Sequence, residues 1–128
     1  MNLLDSSAIF NLFQDRKFSA LVSGATISLA KYEIGNILLK SHKIRNIISR
    51  KEATELGTVL FELIDSMEQI VPSPASTLRL SLEEGLTFYD SSYLISAIES
   101  GYNLVTDDLK LHKIASSRVP TQKSTDLR

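Results

Sequence analysis

Four acids carry the residue chemistry of this chain: Asp5, Glu33, Asp90 and Asp108. Each has a purely structural explanation when taken alone. Asp5 stands between a short apolar run and a helix, where an Asp caps more often than it catalyses. Glu33 can reach solvent or pair with a lysine, Asp90 completes a capping box opened by Thr87, and Asp107 or Asp108 can cap the helix that follows them. Their joint occurrence admits another reading. Two carboxylates about 4 Å apart repel by about 4 kcal/mol at an effective dielectric of about 20, so a cluster of four requires protonation or bound cations. A hard divalent ion, Mg2+ or Mn2+, takes oxygen ligands and completes its shell with water and substrate phosphate. Such ions activate water and steady developing charge in phosphodiester hydrolysis.

Whether the acids meet depends on the elements that carry them. Leu3 and Leu4 are too short an apolar run for a helix, and Asp5-Ser6-Ser7 offers capping side chains before Ile9, Leu12 and Phe13 recur at helical spacing. This predicts a short buried strand ending at Asp5, then a helix. "SALVSG" predicts a turn ending in Gly24, and residues 25–28 a second strand. From Leu29 to about Lys43 the apolar residues recur at three- and four-residue steps, with Glu33 on or beside the inward stripe. A long helix over 50–69 follows, its stripe made by Leu56, Val59, Leu60, Leu63 and Met67. "IVPSP" predicts a strand stopped by Pro72 and Pro74, and residues 75–84 a short helix ended by Gly85. "TFYDSSYLISAIESG" predicts a helix capped at Thr87, closed by Gly101, with Asp90 turned inward beside Leu94 and Ala97. "YNLVTDD" then repeats the opening pattern of apolar strand, acid at the exit and helix. "VPTQ" offers an edge strand, and the residues from about 121 are expected to fray.

Strands alternating with helices imply one α/β domain over residues 1–128, with a parallel sheet covered on both faces. In such sheets ligands collect at the carboxyl ends of the strands. Asp5 and Asp108 leave two strands at that edge, Glu33 sits early in the helix leaving a third, and Asp90 opens a helix that runs antiparallel to the strands. All four acids are therefore expected at one edge.

Composition narrows the chemistry further. The apolar share of 43% suits a folded core. With no Cys, thiolate catalysis and cysteine metal sites are excluded, and His42 and His112 are too far apart in sequence to suggest a zinc site. No apolar run approaches the roughly 18 residues of a membrane span, and Asp5 lies where a secretory signal wants positive charge, so a soluble cytoplasmic protein without membrane contact is expected. The net charge of -1 averages over a segregated distribution. Residues 34–51 hold no acid, while Lys40, Lys43, Arg45, Arg50 and Lys51 supply five positive charges: a solvated helix face or a phosphate-contacting patch. His42 joins that patch, and His112 reads as an exposed or ion-paired residue. Tyr32, Tyr89 and Tyr93, at helical spacing among apolar neighbours, read as core, with base stacking as the alternative.

Taken in order, "LLDSSAI", "YEIGNIL", "TFYDSSYLISAIESG" and "LVTDDLKL" resemble the PIN-domain ribonucleases, and within them the small toxins of VapBC toxin–antitoxin pairs. The resemblance covers nearly the whole chain. It implies a three-layer α/β/α sandwich with a five-stranded parallel sheet and the first strand central. It also implies Mg2+- or Mn2+-dependent endonucleolytic cleavage of single-stranded or loop RNA, homodimerisation, and inhibition by a small VapB-like antitoxin. Carried over residue by residue, Asp5, Glu33, Asp90 and Asp108 form the acidic site, Asp108 matching the acid of the family's Thr-x-Asp motif. Asp5 and Asp90 would bind the principal metal, Glu33 would act through water, and Asp108 would help form a second position. Asp107 is expected to stand behind these ligands, and the hydroxyls of Ser6 and Thr106 to orient carboxylates or water. The alternatives are a PIN-type RNA-processing nuclease and a catalytically silent PIN domain that binds RNA or an antitoxin. A phospho-receiver wants paired acids at its first strand exit, where this chain has serines. A haloacid-dehalogenase phosphatase wants a second Asp where Ser7 stands.

Overall fold

In the computed structural model, which describes residues 1–128, the consecutive leucines of the first strand bury their side chains on opposite faces of a sheet, and that alternation divides the molecule. Strands β1 (Asn2–Leu4), β2 (Ala25–Thr26), β3 (Glu68–Gln69), β4 (Asn103–Val105) and β5 (Thr121–Gln122) form one sheet in the order β3-β2-β1-β4-β5. Every pairing is parallel, with Leu3 opposite Leu104 and Leu4 opposite Val105. Leu3 and Leu104 belong to one apolar cluster, Leu4 and Val105 to the other. Helices α1 (Ser6–Gln14), α2 (Phe18–Val22), α3 (Leu29–Lys43) and α4 (Arg50–Ser66) cover the Leu4 face through Ile9, Leu12, Leu21, Ile34, Leu60 and Ile64. Helices α5 (Pro74–Glu84), α6 (Phe88–Ser100) and α7 (Leu109–Ala115) cover the Leu3 face through Leu80, Leu94 and Leu111. The result is the expected three-layer α/β/α sandwich with β1 at its centre.

Helix ends follow local chemistry. Ser49 and Glu52 make a reciprocal capping box at the start of α4, and Thr87 accepts the Asp90 N–H at the start of α6. Gly85 and Gly101 end α5 and α6 in the left-handed conformation, at φ 71° and 70°. Gly24 admits the close approach of β2 to β1, since a Cβ there would lie 3.0 Å from Leu4 Cδ1 and 3.3 Å from the Asn2 carbonyl oxygen. No helix is long and apolar enough to cross a membrane.

The structure departs from the sequence expectations at several places. "SALVSG" forms helix α2 rather than a turn, because Leu21 is buried and Phe18 packs edge-on against Phe13 with ring centroids 5.8 Å apart. Helix α4 stops at Ser66; Leu56, Leu60, Leu63 and Met67 reach the core as expected, with Gly57 and Ile64 added to the buried face and Val59 turned to solvent. The third strand is Glu68–Gln69 rather than "IVPSP". Backbone bonds from Glu68 N–H to Gly24 O and from Ile70 N–H to Thr26 O place it, and as an edge strand with exposed side chains it leaves no hydropathy signal. The last residues are fastened rather than frayed. Ser124 is buried, its N–H and hydroxyl both donate to Asp107, and Lys17 Nζ donates to the Leu127 carbonyl at 2.7 Å.

That fastening is measurable. Ser124→Ala removes a hydroxyl donor to Asp107 and is expected to lower stability by about 1 kcal/mol in denaturant unfolding. Faster amide exchange confined to residues 121–128 is the accompanying signature, and unchanged exchange there would show that the tail is held some other way.

Candidate active site

With β2 on one side of β1 and β4 on the other, the chain's winding direction reverses between β1 and β4. At such a switch point the connections leaving the two strands splay apart and open a crevice at their carboxyl ends. Asp5 leaves β1 there and Thr106-Asp107-Asp108 leaves β4. Asp5 is only 4% exposed. One oxygen, Oδ1, accepts from the Ala8 N–H at 2.9 Å and the Ser7 hydroxyl at 2.7 Å, and the other accepts from the Thr106 hydroxyl. Asp5 is therefore both the cap of α1 and a buried charge tied to the neighbouring strand. Burial outweighs these donors and raises its pKa from 3.8 to about 6, with the Asp107 charge adding to the rise.

Glu33 extends from α3 to the same edge. Its Oε1 accepts the Tyr93 hydroxyl at 2.5 Å and the Ser6 hydroxyl at 3.2 Å, while Oε2 has no protein partner. Asp90, half-buried in the first turn of α6, is held above the ordinary carboxylate range by burial and then by the charges of Asp108 and Glu33. Asp108 is exposed, and its Oδ1 caps α7 through the Leu111 N–H at 2.8 Å. The four acids thus lie toward the carboxyl edge of the sheet, and Asp90 is close enough to Asp108 and Glu33 for their charges to raise its pKa. None of them takes part in a salt bridge.

The donor set is oxygen only, partly desolvated and mutually repelling, which matches a hard divalent cation in chemistry. In this structure no three acidic or histidine side chains stand close enough to hold one ion. Side-chain rotation on fixed helix and strand ends is what assembly of a metal site would require.

The supporting residues divide. Thr106 bridges as expected, donating to Asp5 and accepting the Asp108 N–H at 3.1 Å. Ser6 serves Glu33. The Asp107 carboxylate turns away from the acids to Asn11 Nδ2 and Ser124, and although burial pulls its pKa up, those hydrogen bonds leave it below the ordinary value. Only its N–H joins the site, donating to the Ser7 hydroxyl at 3.0 Å. Ser7 and Tyr93 were not singled out as site residues from sequence. Tyr93 lies three residues after Asp90 on one helix, which was the available signal, and burial beside Glu33 drives its hydroxyl strongly toward the protonated donor form. Lys110, also missed, is an exposed cation near Asp90 that donates to the Gly85 carbonyl at 3.1 Å.

The residues of the basic run line two hollows. Lys40 and Arg45 line a groove of about 570 Å³ that begins beside Ser7 and is floored by Phe10, Ile37, Leu38 and Leu56. Lys43, Arg50 and His42 line a separate hollow, and Lys51 stands 3.9 Å from Glu55 in an exposed pair. His42 Nδ1 lies 2.9 Å from the Ile48 carbonyl, closing the loop after α3, and His112 approaches only its own helix at Ser116. Tyr32 and Tyr89 are exposed, contrary to a core placement, and only Tyr93 is buried.

No protein-family model matches the chain. Two curated proteins of Pyrobaculum aerophilum do. Exonuclease VapC9 is 34% identical over 113 residues, covering 85% of this chain and 81% of its own. Ribonuclease VapC3 is 31% identical over 121 residues, covering 85% and 90%. Among solved structures, PAE2754 of the same organism superimposes with a TM-score of 0.76 at 31% identity, over 94% of this chain and 89% of that one. The structure of VapBC-1 from nontypeable Haemophilus influenzae shares the fold at a TM-score of 0.61 and 13% identity, over 97% and 98%.

The raised pKa of Asp5 makes stability depend on pH in a defined direction. The folded state holds the proton more tightly than the unfolded chain, so stability is full below about pH 4, falls as pH rises toward about 6, and stays lowered above it. A span of about two pKa units corresponds to about 3 kcal/mol. Asp5→Asn, unfolded by denaturant in the presence of a chelator, is expected to gain up to that amount over the parent at pH 7 and nothing at pH 4. A parent-minus-variant difference that is flat with pH would contradict the burial of this charge.

Proposed function

This chain belongs to the VapC family of PIN-domain proteins, and we propose that it is a metal-dependent endoribonuclease acting as the toxin of a toxin–antitoxin pair. What supports the proposal is that Asp5, Glu33, Asp90 and Asp108 lie on elements that start or end at the carboxyl edge of the sheet beside the switch point, and that none of them is in an ion pair. Relatives named as a ribonuclease and as an exonuclease support nuclease chemistry. Bound Mg2+ or Mn2+ would supply a lowered pKa for the attacking water and neutralisation of the scissile phosphate.

The chain's own residues supply positioning. Asp5, Asp90 and Asp108 would hold the cation. Asp5 is pre-set for this by its three donors, which fix the carboxylate plane before any ligand arrives. Tyr93 and Ser6 hold one oxygen of Glu33 and leave the other free to accept a proton from water. Lys40 and Arg45 would contact phosphates of RNA entering along the groove beside Ser7. The same groove has an apolar floor, so a partner with an apolar segment flanked by acids would fit it and cover the RNA path. Such a partner is the kind of antitoxin proposed here.

Purified protein with Mg2+ or Mn2+ is expected to open a circular single-stranded RNA, which an enzyme that needs a free end leaves intact. A chelator should stop the reaction, and Asp90→Asn should reduce its rate at least about a hundredfold while the circular dichroism spectrum stays unchanged. An intact circle with a degraded linear substrate would assign end-dependent cleavage instead, and full activity in Asp90→Asn would remove that residue from the site.

The two hollows that the basic residues line give a second test. Replacing Lys40 and Arg45 together by Ala should weaken RNA binding and reduce the slope of log affinity against log salt by about two. Replacing Lys43 and Arg50 should change that slope much less. Equal effects from the two pairs would make both hollows parts of one RNA-contacting patch.

A further inference from the structure

Tyr32 and Tyr89 are 76% and 59% exposed, although each lies on a helix whose other face is buried. Exposed large apolar groups at one place are a signal of recognition when they coincide with a site. Here the coincidence is close. Tyr32 immediately precedes Glu33 on α3, and Tyr89 immediately precedes Asp90 on α6. Both tyrosines line one cleft of about 480 Å³ together with Leu29, Glu33 and Asn36.

The cleft's composition identifies what it suits. No Lys or Arg lines it, so it is not built for phosphate. Neither tyrosine hydroxyl has a hydrogen-bond partner and neither ring is paired with another aromatic ring, so each, largely exposed, is available to stack on a planar group. Asn36, exposed one turn after Tyr32, offers both a donor and an acceptor. Two free aromatic faces and an amide are the elements that bind an unstacked base in single-stranded RNA. Glu33 belongs both to this cleft and to the acidic crevice, so a base held here brings its own phosphodiester to the carboxylates.

We propose that Tyr32 and Tyr89 form a base-stacking subsite for the nucleotide next to the cleaved bond, with Asn36 contacting the base edge. The proposal rests on the ribonuclease reading and assigns this chain a contact to the substrate's bases that is separate from its phosphate contacts at Lys40 and Arg45.

The experiment compares steady-state cleavage of a single-stranded oligoribonucleotide by the parent protein, Tyr32→Ala, Tyr89→Ala and the two Phe variants. The substrate is used intact and with an abasic residue beside the cut. Each Ala variant is expected to lose about tenfold in kcat/KM, mostly through KM, and each Phe variant to stay within about twofold of the parent. On the abasic substrate the parent should lose as much as the Ala variants do, and the variants should lose nothing more. Because both side chains are exposed, folding is not at risk, and the Phe variants control for it. If the parent cleaves RNA and the Ala variants match it, the stacking subsite is overturned and the ribonuclease reading stands. Ala variants with unchanged kinetics but an altered oligomeric state would assign the rings to a protein contact and likewise overturn it. A parent protein that cleaves no RNA under any divalent metal would overturn both.

Discussion

Asp5 loses nearly all of its water at the exit of β1, and the donors that make its charge tolerable come from two separate parts of the chain. An ionised carboxylate cannot be buried without such partners, because its desolvation costs several kcal/mol even after relaxation. The Ala8 N–H and Ser7 hydroxyl belong to the start of α1, and the Thr106 hydroxyl to the exit of β4. Thr106 also accepts from the Asp108 N–H, and Ser7 accepts from the Asp107 N–H. Satisfying one charge therefore fixes the geometry of both chain crossings at the switch point. Substituting any of these hydroxyls would disturb not a single contact but the relative placement of Asp5 and Asp108.

The choice between cap and site, natural for each acid in isolation, dissolves in this arrangement. Asp5 caps α1 and Asp108 caps α7 with one oxygen each. The partial positive charge at a helix start lowers the cost of placing an anion there. A strand that ends where a helix begins thus offers a carboxylate two services at once: local stabilisation through Oδ1, and a second oxygen at the crevice. This is why an acid following a short apolar run was informative in the sequence, and why it was ambiguous. The helix pattern around residues 29–43 and the Thr87 and Gly101 boundaries were legible for the same reason, since capping and periodicity are local effects.

What escaped the sequence depends on non-local packing. Strand β3 is placed by backbone bonds to β2 and carries exposed side chains, so its residues bear no apolar imprint. Lys40 and Lys43, one turn apart on α3, line different hollows, a division that charge counting along the sequence does not show. The three tyrosines had equivalent local patterns, yet only Tyr93 meets a packed neighbouring layer and a carboxylate acceptor. The fastening of the tail needed the knowledge that Asp107 faces Asn11 and Ser124, residues distant in sequence.

The placement of positive charge completes the logic of the site. Lys31 pairs with Asp65, Lys51 with Glu55, and Arg118 with Glu83 and Glu84, none of them with Asp5, Glu33, Asp90 or Asp108. Had one of these cations been set among the four acids, the pairing would have lowered their pKa values and relieved their repulsion. Lys110 comes nearest, and its ammonium is directed to the Gly85 carbonyl, which leaves it a modest lowering influence on Asp90 rather than a bridge. Burial is the first cause of the raised pKa values of Asp5 and Asp90, and no ion-paired cation offsets it. A positively charged ligand placed beside Asp90, Asp108 and Glu33 would relieve the repulsion that helps to raise the Asp90 pKa.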